Sequence, residues 1–227
     1  MELRFASSDK DSLVKMNKID TVTLGLKEAI LNGDIRGGEK LSSEEICKRF
    51  GVSRAPVREA LRRLESDGLV EIYPQQYVIV TNISASDFEE LLQIRQSLEH
   101  LALDLFIKRY DKEGIDALAA LVEREQGETD EIALLEIALA FHNTLCQYSN
   151  NSELVYFYGK VMEKYRRFLA LEYYNPLYDE QKYHAQILDG LQNKEFEKCY
   201  RALEKDIEDC GKIVLVKLRA LELNARL

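Results

Sequence analysis

Three side chains able to hold a divalent cation lie on apolar stripes of three separate helical segments. His142 is flanked at helical spacing by Leu135, Ala138, Leu139, Leu145 and Cys146. His184 shares a stripe with Leu177, Ile187, Leu188 and Leu191, and Asp206 shares one with Cys199, Leu203, Cys210 and Ile213. Imidazoles and a carboxylate turned toward a core must find partners, because an unpaired buried polar group is costly. One Zn²⁺, Ni²⁺ or Mn²⁺ ion held by all three would meet that need and leave coordination positions open. The alternative is three separately satisfied core residues, with Asp206 paired to a lysine or arginine. The same trio would suit a metalloenzyme with a 2-His-1-carboxylate centre, although no general base or nucleophile adjoins it.

A second constellation is basic. Within 48–63 stand Lys48, Arg49, Arg54, Arg58, Arg62 and Arg63, against Glu59 alone. The chain as a whole carries a net charge of -9, but residues 1–80 are balanced and the entire excess lies beyond them. Arg54, Arg58 and Arg62 recur every four residues and project from one helix face, while Val57, Ala60, Leu61 and Leu64 form the core side. A guanidinium is a planar fork that can pair two acceptors of guanine or grip a phosphate. The bland reading is a basic face that only solvates a surface helix.

The elements around these residues decide between such readings. A helix fits 21–32, with Gly33 ending it and Gly37-Gly38 marking a turn. Ser42 to Glu45 reads as a capping box that opens a short helix to Phe50. Gly51-Val52 turns the chain, Ser53 caps the next helix, and Pro56 is tolerated in its first turn. That helix ends at Gly68, and two β segments, 69–73 and 77–81, flank Pro74-Gln75-Gln76. Helix, helix, turn, helix and hairpin describe a winged helix-turn-helix. From Ser84 the pattern is helical throughout, opening on a second capping box at Ser86 to Glu89. Further helices fit 112–126, 130–149, 152–173, 178–192 and 194–222.

The fold class is therefore mainly α: a winged helix-turn-helix with a small β-hairpin, then an all-α helical bundle. The expected divisions are an arm over 1–17, a DNA-binding domain over 18–82, and a helical effector-binding and dimerisation domain over 83–227. No apolar run is long enough to span a bilayer, and the first residues lack a signal peptide's apolar core, so a cytoplasmic protein without a membrane partner is expected. The four cysteines form no C-x-x-C pair and read as core thiols.

The run Gly51-Val52-Ser53-Arg54-Ala55-Pro56-Val57-Arg58-Glu59-Ala60-Leu61 resembles the GntR family of bacterial regulators. So do Gly37-Gly38-Glu39-Lys40-Leu41 before it and Asp67-Gly68-Leu69-Val70 after it. The resemblance implies that Ser53, Arg54 and Arg58 touch DNA and that the wing tip enters the minor groove. With neighbours at the same surface, the expected DNA-contacting set is Lys40, Ser42, Ser53, Arg54, Ala55, Arg58 and Gln76. One departure stands out: the family's Arg-Gly at the wing tip aligns with Gln76-Tyr77. Without the glycine that most easily turns left-handed, a shorter wing or a weaker grip is expected.

The helical remainder is similar to the FCD domain of the FadR subfamily, the likeness covering about 20–222. That resemblance implies a metal held by an Asp-x-x-x-His pair and two later histidines. Here Ala138 stands for the Asp and Asp206 for the last histidine, leaving His142, His184 and Asp206 as ligands. It also implies a small organic-acid effector, for which Arg95, Asn151 and Arg166 are the candidate contacts. Arg95 lies on the stripe of Phe88, Leu91, Leu92, Leu98 and Ala102, and is equally placed to pair with Glu99 four residues on. The expected protein is a homodimeric regulator, a repressor, on a two-fold symmetric double-stranded operator. The alternatives are a metal-dependent enzyme or a small-molecule-binding protein using the His142, His184 and Asp206 pocket.

Overall fold

The computed structural model describes residues 17–169 and 180–224. The expected arm apart from Asn17, the helical stretches at 170–173 and 178–179, and Leu177 lie outside the described residues. The chain divides into two compact units between Ile83 and Ser84.

In the first unit, α1 (Lys18–Leu31) begins three residues before the expected start. The cause is Asn17, whose side chain accepts the Asp20 N–H and caps the helix there. The helices α2 (Ser43–Phe50) and α3 (Arg54–Ser66) follow, then strands β2 (Val70–Tyr73) and β3 (Tyr77–Val80). A strand absent from the sequence reading, β1 (Lys40–Leu41), pairs with β3. The expected hairpin is thus a three-stranded antiparallel sheet in the order β1-β3-β2. Two residues have no periodicity to read; β1 exists through its register, Lys40 opposite Ile79 and Leu41 opposite Val78. Val22, Leu26, Ile30, Ile46, Val57, Leu61, Leu64, Val70 and Val80 fill the core beneath sheet and helices.

Ser42 does cap α2, accepting the Glu45 N–H at 3.3 Å. Gly51 ends that helix at φ 63°, the left-handed conformation glycine adopts without strain, and so makes the tight α2–α3 turn. Ser53 sits at the N-cap of α3, but its side chain makes no capping hydrogen bond there.

The second unit contains α4 (Ala85–Arg109), α5 (Lys112–Gln126), α6 (Glu131–Gln147), α7 (Ser152–Leu169), α8 (Glu180–Asn193) and α9 (Phe196–Asn224). The capping box of α4 is Ser84 with Asp87, not Ser86 with Glu89: the Ser84 backbone is extended at φ -112°, whereas Ser86 already lies within the helix. Leu103, Phe106, Leu118, Phe141, Leu145, Ile187, Leu191, Cys199, Leu203 and Ile207 are buried along its length. All four cysteines are free thiols, Cys146 and Cys199 buried and Cys47 and Cys210 partly so. Among the described residues, no helix is long and apolar enough to cross a membrane.

Candidate functional site

Two constellations stand out, one in each unit. In the first, α3 buries Val57, Ala60, Leu61 and Leu64 and exposes Arg54, Arg58 and Arg62. A groove of about 960 Å³ runs between this face, the start of α2 and the β2–β3 wing. Lys40, Ser42, Arg54, Arg58, Arg62 and Gln76 all line it, and Glu44 is the one acidic residue at its wall. Ser53 and Ala55 lie exposed at the adjoining first turn of α3. Arg63 belongs elsewhere: it pairs with Asp20 at 2.8 Å and faces Glu59 at 3.9 Å, so its charge is spent on the protein itself.

The wing keeps its turn despite the missing glycine. Gln75 takes the left-handed conformation at φ 60°, and the Gln76 N–H donates to the Tyr73 carbonyl at 3.1 Å. At the base of the turn the Tyr73 and Tyr77 rings lie 4.6 Å apart, and the Lys40 ammonium sits 4.4 Å from the centroid of Tyr77. Strand pairing runs out to Tyr73 and Tyr77, and Gln75 absorbs the strain that a glycine would avoid.

The second constellation draws one polar side chain from each of six helices: Glu99 of α4, Glu125 of α5, His142 of α6, Tyr158 of α7, His184 of α8 and Asp206 of α9. All six are at most 4% exposed. His142 Nε2 lies 2.9 Å from Asp206 Oδ2 and 3.3 Å from His184 Nε2, and His184 Nε2 lies 3.8 Å from the same Asp206 oxygen. Donors about 2.1 Å from a shared ion lie roughly 3.0 Å apart at right angles and roughly 3.4 Å apart in a tetrahedron. The triangle therefore has the size a divalent cation requires. Its donor set, two imidazoles and one carboxylate, suits Zn²⁺, Ni²⁺ or Mn²⁺. Ala138, also buried, offers no ligand atom.

Behind the triangle stand two carboxylates. Glu99 Oε2 lies 2.7 Å from His142 Nδ1, and Glu125 places its two oxygens 2.9 and 3.0 Å from His184 Nδ1. The Phe141 ring stacks on His184 at a centroid distance of 4.2 Å and fixes its plane. Burial opposes ionisation of Glu99, but Arg95 and His142 beside it outweigh burial and hold the carboxyl at about 2. Burial likewise opposes charge on His142, yet Glu99 and Asp206 raise it to about 9. Burial raises the Asp206 carboxyl, and the two imidazoles more than reverse that, leaving it well below the usual range. The electrostatics ask for positive charge where the three donors meet.

The expected effector contacts do not converge. Arg95 is buried, with its Nε donating to Glu99 Oε1 at 2.6 Å and its guanidinium 4.6 Å from the Tyr165 ring centroid. Asn151 accepts the Leu154 N–H at 3.1 Å and caps α7. Arg166 is exposed, and its neighbour Arg167 is the buried member of the pair. Glu125 is the residue that sequence reasoning missed. The available signal for Glu125 was its position, seven residues after Leu118 and three after Val122 on the apolar side of α5.

Comparison with known proteins matches both units. Residues 18–80 match the family described as bacterial regulatory proteins, gntR family, and residues 90–209 match the FCD domain. The chain is 30% identical over 226 residues to the Uxu operon regulator of Haemophilus influenzae, covering 88% of this chain and 80% of that one. It is 35% identical over 133 residues to the HTH-type transcriptional regulator YdhC of Bacillus subtilis, covering 57% of this chain. The chain spans a little over half the length of several curated relatives, 59% of YdhC among them. The solved structure of E. coli McbR/YncC shares the fold, with a TM-score of 0.71 at 22% identity, covering 89% of this chain and 99% of that one.

Proposed function

The chain belongs to the GntR family of bacterial regulatory proteins, its winged head followed in sequence by an FCD domain, and on that premise we propose that it is a DNA-binding repressor. Its operator affinity is set by a small organic acid, and a divalent ion in the helical bundle anchors that acid. The observation that carries the DNA half is the groove in which Arg54, Arg58, Arg62 and Lys40 face the wing. A cationic trough beside a helix whose exposed side is arginine suits one phosphodiester strand, with base edges within reach of the first turns of α3. Ser53 leaves its hydroxyl out of the helix cap, which suits it to a phosphate. Two copies are needed, because one reading helix spans too few base pairs for genomic specificity. Ile94 and Leu101, seven apart on α4, and Val216 and Leu223, seven apart on α9, are exposed apolar residues suited to pairing bundles.

The residues that would hold the ion are His142, His184 and Asp206. When bound it would supply a Lewis-acidic centre with free positions for an anionic oxygen. Arg95, Asn151 and Arg166 contribute less to this account than the sequence implied, since Arg95 is committed to Glu99 and Asn151 to a helix cap.

Selection from a random duplex pool with the full-length protein tests the DNA reading. Enrichment of a two-fold symmetric sequence is expected from the native protein and not from Arg58→Ala. No enrichment, or equal enrichment by both, would remove the reading. For the ion, elemental analysis after chelator-free purification is expected to find about one metal per chain, and an Asp206→Ala variant at most a small fraction of that.

A further inference from the structure

Neither carboxylate behind the histidines belongs to the set of three that faces a common point, yet both are buried. Glu125 is 1% exposed and directs both oxygens at one nitrogen, His184 Nδ1. Glu99 is fully buried and divides its oxygens: Oε2 faces His142 Nδ1, while Oε1 accepts from Arg95 at 2.6 Å and from Tyr158 at 3.1 Å. Burying an acid is costly unless its partners repay it. Glu99 has a buried guanidinium beside it, whereas Glu125 faces an imidazole.

The chemistry of these contacts fixes the tautomer of His184. A carboxylate oxygen accepts and does not donate, so the nitrogen facing it carries the proton. His184 therefore holds its hydrogen on Nδ1, leaving the Nε2 lone pair directed at His142 and Asp206. His142 faces a carboxylate with each nitrogen, Glu99 at Nδ1 and Asp206 at Nε2, so an ion held at Nε2 leaves its proton on Nδ1 beside Glu99. Charge gives a second, independent argument. Glu99, Glu125 and Asp206 are three carboxylates around one guanidinium, Arg95, and a single divalent ion among neutral imidazoles cancels the difference.

We infer that Glu125 and Glu99 are positioning residues of the ion site, setting the tautomer and orientation of His184 and His142 and matching the site's charge to a divalent cation. This rests on the reading of His142, His184 and Asp206 as ligands. Carboxylates in this position behind metal-bound imidazoles typically account for about 10–100-fold in metal affinity. Glu125 is the cleaner of the two to test, because removing Glu99 also strands Arg95.

The test uses the full-length protein, stripped with chelator and titrated with Co²⁺, whose visible absorption reports ligand geometry, and with Zn²⁺ in competition. Native protein and Glu123→Gln, an exposed acid on the same helix, are expected to bind one equivalent with the same spectrum. Glu125→Gln is expected to bind Co²⁺ roughly 10–100-fold more weakly, with an altered spectrum and an unchanged far-ultraviolet dichroism. Histidine-ring ¹H–¹⁵N spectra of the Zn²⁺ form are expected to show Nδ1–H at His184 in the native protein. The inference is overturned if Glu125→Gln matches the native affinity and spectrum, or if His184 of the native protein carries its proton on Nε2. Should Glu125→Gln not fold, Glu125→Asp carries the same test: its retracted carboxylate is expected to weaken binding and shift the spectrum, and native values for both would overturn the inference. Native protein that binds no ion at all defeats the ligand reading itself, a result distinct from either of these.

Discussion

At the residue scale, the basic face and the buried triangle make different demands on their side chains. Arg58 needs only to be exposed and aimed into the groove, and α3 keeps its core through Val57, Ala60, Leu61 and Leu64. Arg58→Ala is therefore expected to cost about 1–3 kcal/mol of DNA binding with no change in unfolding temperature; equilibrium binding and a thermal melt check the two halves. Lys40→Ala is expected to weaken binding evenly across sequences and to lower the salt slope by about 1, read from affinities at three salt concentrations. His142, His184 and Asp206 were legible in the sequence because each interrupts an apolar stripe at helical spacing. Glu125 keeps apolar spacing with Leu118 and Val122, but its partner His184 stands on α8, a pairing that no local pattern encodes. Glu99 was visible only as a partner for Arg95; its contacts with His142 and Tyr158 join α4 to α6 and α7, which no local pattern encodes.

At the element scale, local chemistry explains where the helices begin and where the reading went astray. Ser84 and Ser86 are both plausible caps by type, and only backbone conformation chooses Ser84. Ser84→Ala is accordingly expected to destabilise the second unit by about 1 kcal/mol, while Ser86→Ala leaves it within about 0.5 kcal/mol; denaturant melts distinguish the two. At Gly51 a Cβ would meet nothing within 4 Å, so the cost of Gly51→Ala is purely that of a left-handed alanine, about 1–2 kcal/mol. The two wing strands were legible as β segments, whereas the short strand β1 and the pairing register were not. β1 depends on pairing with β3, and cross-strand register is a property of the folded sheet rather than of either segment.

At the scale of the whole molecule, the proposed DNA-reading head is followed in sequence by a bundle in which α4 to α9 each bring a polar side chain to one buried cluster. An ion bound there stabilises the bundle by mass action, about 2.7 kcal/mol at a free concentration one hundred times its Kd. Chelator treatment is expected to lower the unfolding temperature of the second unit and to leave that of the first in place, which calorimetry resolves. Light scattering is expected to give twice the mass of one chain. The acidic net charge, which taken alone argues against nucleic acid, is confined to residues beyond 80, so it does not oppose a cationic groove in the first unit. The most direct test of the central claim is fluorescence anisotropy of a labelled duplex from the selected pool, titrated with native protein and with Arg58→Ala. Saturable, salt-sensitive binding is expected of the native protein, with affinity lower by roughly 5–150-fold for the variant at an unchanged thermal midpoint. Equal affinity of the two proteins for that duplex would contradict it.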